Sequence, residues 1–136
     1  VLVLNRSVGP AEEAARLAGA VGRVGAAAEV RDTDVVINAT PLGMGIVVTT
    51  TGDPEPLPVD PALLGEGQVV VDLVYHPAVT PLLAEARSRG VRTVNGLGML
   101  IHQAAHAFRL WTGEEPPLEV MSAAAVAALL HRQESR

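Results

Sequence analysis

The chain of 136 residues is long enough for one domain with a single core of ordinary size. Its formal net charge of −5 argues against nucleic acid as the main partner, because phosphate binding requires a basic surface. It contains no cysteine, which excludes disulfides and thiolate metal sites, and no apolar run approaches the ~20 residues of a membrane span.

The first residues, 1–4, are a continuous apolar run, which is typical of a buried parallel strand. The run has no initiator methionine before it and lacks the basic start and longer apolar centre of a signal peptide. We therefore expect a cytoplasmic protein without a membrane partner, and a chain that is a fragment of a longer protein, opening in mid-strand.

Strands and helices are predicted to alternate along the rest of the chain. The predicted strands are 21–24, 34–40, 68–75 and 91–94, and the predicted helices are 11–20, 61–64, 81–89 and 118–132. A further helix is predicted within 95–113, after a glycine turn and ending at Gly113. We expect Glu12 and Glu13 in the first turn of helix 11–20, where the helix dipole favours acids, and Thr80-Pro81 as the start of helix 81–89. Residues 46–61, rich in proline and threonine, are predicted to form a surface loop. Strands that are apolar on both faces and alternate with helices indicate an α/β fold with a doubly wound parallel sheet, in one domain over 1–136.

Four of the predicted strands carry polar or small residues at or just after their carboxyl ends. They are Asn5-Arg6-Ser7, Asn38-Ala39-Thr40, the segment from Asp72 to Tyr75, and Asn95-Gly96. Ligands of open α/β sheets bind beyond the carboxyl ends of the strands, so these four ends form a candidate nucleotide cleft. The alternative for any one of them is an ordinary polar loop.

Arg6 gives the sharpest indication of a ligand. In dinucleotide-binding folds the strand end that meets the adenosine ribose carries an acid in NAD enzymes, whereas an arginine there accommodates the 2′-phosphate of NADP. This chain has no acid at that point and offers Asn5, Arg6 and Ser7. If the first strand here is that ribose-reading strand, the preferred cofactor is NADP. The alternative is a solvated surface arginine.

The helix that begins after Gly96 carries two partial motif matches that we do not interpret as functional sites. Gly96-Leu97-Gly98 resembles the start of a GxGxxG phosphate loop, but its third position is Ile101 and no acid follows at the required distance. His102 and His106 have the spacing of a zinc motif, but Gln103 replaces its glutamate and no third ligand is evident. A helix so nearly apolar all round is expected to be covered on most sides. No nucleophile elbow is present, and no metal is expected.

Five pieces of the chain, in order, resemble the NADP-binding C-terminal lobe of shikimate dehydrogenases. They are residues 5–7, 34–44, 72–75, 80–83 and 95–113, the last containing GLGMLIHQAAHAF. The resemblance implies a Rossmann-like fold whose first strand and glycine-rich loop are missing. Because that strand is central, its absence should leave neighbouring edges unpaired.

The resemblance also implies a role for each matched residue. Asn5, Arg6 and Ser7 would hold the adenosine 2′-phosphate. Thr40 would line the cofactor groove, Leu73 and Gly96 would contact the nicotinamide end, and Met99 would pack close to it. Tyr75 and Gln103 would reach the substrate, shikimate or 3-dehydroshikimate.

The reaction implied is the reversible reduction of 3-dehydroshikimate by NADPH, an oxidoreductase step of aromatic amino acid biosynthesis through chorismate. The family's catalytic Lys–Asp pair belongs to an N-terminal substrate lobe, which this chain lacks. We therefore assign no catalytic residue here and expect this chain alone to be inactive.

The helices of about 97–133 would lie at the lobe junction, and the apolar stripe of the last helix would alternatively favour a homodimer. Two rival interpretations remain: a quinate/shikimate dehydrogenase using NAD, and a noncatalytic nucleotide-binding remnant.

Overall fold

A computed structural model describes residues 1–45 and 56–134 of the chain. The strands are β1 (Leu2–Val3), β2 (Arg23–Val24), β3 (Val35–Asn38), β4 (Val69–Asp72) and β5 (Arg92–Val94). The α-helices are α1 (Val8–Leu17), α2 (Pro81–Ser88), α3 (Leu97–Thr112) and α4 (Leu118–Glu134). Short 3₁₀ helices cover Gly19–Val21, Ala27–Asp32 and Pro61–Leu63.

Within the described residues, all strand pairs are parallel and form two separate sheets. β3, β4 and β5 pair in that order, with Asn38 beside Asp72 at the end of the first pair. β1 and β2 form the second sheet. Since parallel neighbours must be joined by crossover connections, this pairing matches the alternation of strands and helices read from the sequence. The α/β prediction is confirmed.

The core lies between α2 and the three-stranded sheet. Leu82, Leu83 and Ala86 of α2 are buried against Val70 of β4 and Val91, which precedes β5. Full burial of each leucine stabilises the fold by roughly 1.5–3 kcal/mol. As predicted, α2 begins at an N-cap threonine followed by proline: the Thr80 hydroxyl accepts the N–H of Leu83 at 3.3 Å. The Thr80 hydroxyl also donates to Asp72 at 2.6 Å, which anchors the carboxyl end of β4 next to the start of α2.

A cavity of about 670 Å³ separates the two sheets. Residues of β1 and β3 line it on its two sides, and within the described parts of the chain each of these strands pairs with one neighbour only. A strand edge without a partner presents free N–H and C=O groups. The unpaired edges expected on either side of a missing central strand are therefore present.

Helix α1 starts three residues earlier than predicted. Ser7 has extended backbone angles and is the N-cap, so Pro10 lies within the first turn, where its missing N–H removes no helical hydrogen bond. Glu12 and Glu13 consequently lie beyond the first turn, and the predicted interaction of these acids with the helix dipole is wrong.

Helix α3 is not covered on most sides, which corrects a second prediction. Ala105 is its only buried residue, whereas Leu110 and Trp111 are 71% and 84% exposed. His102 and Gln103 are also exposed, so neither is held inside a packed helix. The reason is tertiary: α3 leaves the sheet at Gly96 and packs mainly on α4. It ends as predicted at Gly113, whose φ of 75° suits glycine.

The remaining differences are at the boundaries of elements. The predicted strand 21–24 is reduced to β2 because a 3₁₀ helix occupies Gly19–Val21. The predicted helix 61–64 is a 3₁₀ turn over Pro61–Leu63. Of the predicted loop 46–61, residues 46–55, including the three consecutive threonines, lie outside the described residues.

Candidate nucleotide-binding site

The segment Asn5-Arg6-Ser7 connects the carboxyl end of β1 to the first turn of α1. All three residues are exposed. The Asn5 amide donates to the Ser7 carbonyl at 3.4 Å, and the Ser7 hydroxyl caps no N–H of the helix. Arg6 has no ion pair within residues 1–45 and 56–134. A free guanidinium and a free hydroxyl therefore stand at a helix N-terminus, where N–H groups and the helix dipole favour an anion.

Thr40 follows β3 and is held by Asn38, the last residue of that strand. The Asn38 carbonyl oxygen accepts the Thr40 N–H at 3.0 Å and the Thr40 hydroxyl at 2.7 Å. Asn38 is 4% exposed, whereas Thr40 is exposed and lines the cavity between the sheets. Thr40 is thus a fixed, accessible group at the edge of the groove.

Asp72 ends β4 beside Asn38 and is completely buried. Its Oδ1 accepts the Asn38 amide and the Val74 N–H, both at 3.0 Å, and its Oδ2 accepts the Thr80 hydroxyl at 2.6 Å. A buried carboxylate needs such partners, because an unpaired buried charge is very costly. The network joins the ends of β3 and β4 to the start of α2.

Leu73 and Gly96 are brought into direct contact by the turn between β5 and α3. The Gly96 N–H donates to the Val74 carbonyl at 3.1 Å. A Cβ added to Gly96 would lie 1.9 Å from the Leu73 carbonyl oxygen. Glycine is required here for close approach rather than for an unusual φ, which is −74°.

Met99, Gln103 and Tyr75 complete the predicted set. Met99 and Gln103 are four residues apart on α3, so they lie on one face of the helix, and both are exposed. Tyr75 follows β4 and is 37% exposed. These three side chains are accessible to a ligand near the β4 and β5 ends, while Asn5, Arg6 and Ser7 follow β1 of the other sheet.

Glu29 and Arg23 form an exposed ion pair of 2.6 Å beside β2. The hydrogen bond from the Arg23 guanidinium lowers the pKa of Glu29, and a further hydrogen bond from the Ala26 N–H acts in the same direction. The pair links the 3₁₀ helix Ala27–Asp32 to the edge of the two-stranded sheet.

Within the described residues, no group of three or more His, Asp or Glu side chains is arranged to hold a metal ion. In the same ranges, no helix is both long enough and apolar enough to span a membrane.

Sequence and structure comparisons identify known proteins that this chain is similar to. A model of the shikimate 5′-dehydrogenase C-terminal domain matches residues 96–126. A shikimate dehydrogenase (NADP(+)) of Archaeoglobus fulgidus is 49% identical over 96 residues, which are 71% of this chain and 34% of that protein. One of Methanosarcina mazei is 45% identical over 130 residues, 92% of this chain and 44% of that protein.

The fold agrees with these sequence matches. The crystal structure of shikimate 5-dehydrogenase from Thermus thermophilus in complex with NADP(H) and shikimate superposes with a TM-score of 0.79 at 36% identity. The match covers 95% of this chain and 46% of that one. The chain is therefore similar to the shikimate dehydrogenases of these organisms over most of its own length.

This chain spans less than half the length of the relatives it matches. The matched C-terminal model includes Gly96, Met99 and Gln103. The Rossmann-like α/β prediction agrees with the structural neighbours.

Asn38 and Asp72 are the residues that sequence reasoning did not assign to the site. Both were visible as polar residues ending apolar strands, but either could have been an ordinary strand end. The pairing register, which sets Asn38 beside Asp72, shows that they form one buried unit behind Thr40.

Proposed function

We propose that this chain is the NADP-binding part of an oxidoreductase that reversibly reduces 3-dehydroshikimate to shikimate with NADPH. The observation that carries the proposal is the Asn5-Arg6-Ser7 segment at the first turn of α1, in a chain that is similar to shikimate dehydrogenases. The solved relative from Thermus thermophilus holds NADP(H) and shikimate together. We assign the enzyme to the cytoplasm, as a step of aromatic amino acid biosynthesis.

The adenosine 2′-phosphate is the group that distinguishes NADP from NAD. Arg6 has no ion-pair partner among the described residues, and a guanidinium binds phosphate through two parallel hydrogen bonds. The Ser7 hydroxyl is not used as a helix cap, and the Asn5 amide stands beside it. These three residues supply the donors that a phosphate dianion requires.

The nicotinamide end is assigned to the meeting point of β4, β5 and α3. Leu73 and Gly96 touch there, and Met99 lies in the first turn of the helix that Gly96 begins. NADPH supplies the hydride, and the protein's contribution is to orient the ring and the substrate. Tyr75 and Gln103 are the polar side chains near this end that we assign to shikimate.

Catalysis requires residues that this chain does not contain. The carbonyl oxygen must be protonated as hydride arrives, which is the role of the family's Lys–Asp pair. The chain has no lysine, since the ten residues counted as lysine or arginine are all arginines. We therefore propose that a separate substrate lobe supplies the pair, and that the chain alone binds cofactor without turnover.

Two surfaces support such a completed enzyme. The cavity between β1 and β3 has a free strand edge on each side, with which a further parallel strand would pair. The exposed apolar residues of α3 and α4, such as Trp111 and Val120, form a second uncovered surface, which we assign to the lobe junction. A homodimer formed through these helices is the alternative.

The test is calorimetric titration of NADP and NAD into the unchanged chain, an Arg6→Ala variant and an Arg16→Ala control. Arg16 is an exposed arginine at the other end of α1. We expect Arg6→Ala to weaken NADP binding about tenfold or more, because a charge-assisted hydrogen bond contributes about 1.5–3 kcal/mol. NAD binding should be the same in all three proteins.

Unchanged NADP affinity in Arg6→Ala would contradict the assignment of Arg6 to the 2′-phosphate. Tighter binding of NAD than of NADP by the unchanged chain would favour the NAD-using quinate/shikimate dehydrogenase. Addition of 3-dehydroshikimate and NADPH to the chain alone should give no oxidation of NADPH, and turnover would contradict the proposed need for a separate lobe.

A further inference from the structure

The orientation of the Asn38 amide is fixed by its neighbours. Its oxygen faces the Thr40 N–H at 3.0 Å, and its NH₂ group faces the Asp72 carboxylate at 3.0 Å and the Leu42 carbonyl at 3.3 Å. Turning the amide over would set NH₂ against an N–H and oxygen against a carboxylate. Both contacts would be repulsive, so one orientation is left.

This orientation determines how the Thr40 hydroxyl uses its hydrogen. The Asn38 carbonyl oxygen can only accept, so the hydroxyl, 2.7 Å away, must donate to it. The Leu42 N–H donates to the same hydroxyl oxygen at 3.3 Å. The Thr40 N–H is also used, by Asn38. Thr40 therefore has no donor left and keeps one acceptor lone pair on its exposed oxygen.

We infer that Asn38 is a positioning residue that makes Thr40 an acceptor, so that the cofactor presents a hydrogen-bond donor to it, a ribose hydroxyl or the carboxamide NH₂, and not a phosphate oxygen. A phosphate oxygen only accepts, and two acceptors facing one another repel. This inference rests on the proposed NADP site and specifies the chemistry of one contact within it.

Asp72 holds the Asn38 side chain in this orientation. It accepts the Asn38 amide and the Val74 N–H through the same oxygen, so it couples the β3 end to the segment that leads to Tyr75. Because Asn38 and Asp72 are 4% and 0% exposed, water does not compete for these hydrogen bonds. The acceptor polarity of Thr40 is therefore built into the protein before a ligand arrives.

The experiment combines changes in the protein with changes in the ligand, as in a double-mutant cycle. The affinity of each full chain for each ligand is measured by calorimetry. The proteins are the unchanged chain, Thr40→Val and Thr40→Ser. The ligands are NADP, analogues lacking one ribose hydroxyl each, and the analogue whose carboxamide is a carboxylate. We expect Thr40→Val to weaken NADP binding about three- to tenfold, the range of one neutral hydrogen bond, and Thr40→Ser to retain it. For the analogue that lacks the donor bound by Thr40, Thr40→Val should not weaken binding any further.

A Gln68→Met variant controls for general loss of stability. Gln68 is a buried polar residue at the opposite end of β4, where its amide holds the Val30 and Thr33 carbonyls at 2.8 and 2.7 Å. It should lower the melting temperature but leave NADP affinity unchanged. An equal loss of affinity in Gln68→Met and Thr40→Val would overturn the inference.

Strictly additive effects of Thr40→Val and every analogue would also overturn it, since the hydroxyl would then meet no donor of the cofactor. In that case NADP still binds and the proposed function stands. Failure of the unchanged chain to bind NADP at all would overturn the proposed site, and this inference with it.

Discussion

At the scale of single residues, Gly96 shows how a close backbone approach shapes the proposed nicotinamide end. A methyl group on Gly96 would lie 1.9 Å from the Leu73 carbonyl oxygen and 2.4 Å from its carbon, and backbone atoms cannot move aside as a flexible side chain can. The contact joins two residues, Leu73 and Gly96, for which the family resemblance implies one role. It makes glycine a requirement of packing here.

We predict that Gly96→Ala lowers the free energy of unfolding by about 1–3 kcal/mol, the usual cost of overpacking, and weakens NADP binding. Gly98→Ala is the matched control, since an added Cβ there meets no atom of the described residues within 4 Å and the residue lies inside α3. The control should be neutral or more stable by up to ~1 kcal/mol. Thermal unfolding of both variants gives the answer, and equal melting temperatures would contradict the close contact.

At the scale of elements, an exposed ion pair that responds to acid joins the 3₁₀ helix Ala27–Asp32 to β2. Hydrogen bonds from Arg23 and from the Ala26 N–H lower the pKa of Glu29 in the folded protein below its ordinary value of 4.5. A group with a lowered folded pKa stabilises the fold above its unfolded pKa, and this contribution is lost as the pH falls through the folded pKa.

We therefore predict that Glu29→Gln reduces the dependence of melting temperature on pH below about 4.5. Above that pH the variant should melt slightly lower than the unchanged protein, since the pair is exposed and contributes little. Glu66→Gln is the control: Glu66 is exposed and has no ion pair among the described residues. A Glu29→Gln curve parallel to that of the unchanged protein at all pH values would refute the assignment.

At the scale of the whole molecule, the two sheets and the α3–α4 pair leave apolar surface uncovered. Val35 and Ile37 of β3 are 51% and 60% exposed, and Trp111 is 84% exposed. Trp111 is also the only tryptophan of the chain, so its fluorescence reports on one place. We propose that the rest of the enzyme covers it.

We predict that the chain alone shows the emission of a water-exposed indole and is readily quenched by iodide, with little further red shift on unfolding. The spectrum should be recorded over a dilution series, because self-association through α3 and α4 would give a blue shift that disappears on dilution. A blue-shifted emission that persists at every concentration would contradict the exposure of Trp111 in this structure.

The sequence by itself determined the order of elements and the group of residues at the strand ends. Apolar runs, the Thr80-Pro81 helix start and the terminal Gly113 are local signals, and each depends on a few neighbouring residues. The resemblance to the shikimate dehydrogenase family also came from short motifs, and the comparisons agree with it.

Only the tertiary structure decided what depends on distant parts of the chain. The exposure of α3 follows from its packing on α4, and the separation of the two sheets follows from strand pairing. The acceptor character of Thr40 requires Asp72, which is 32 residues away in sequence and adjacent only through the register of β3 and β4. Periodicity and propensity describe neighbours along the chain, whereas burial and hydrogen-bond direction are set by neighbours in space.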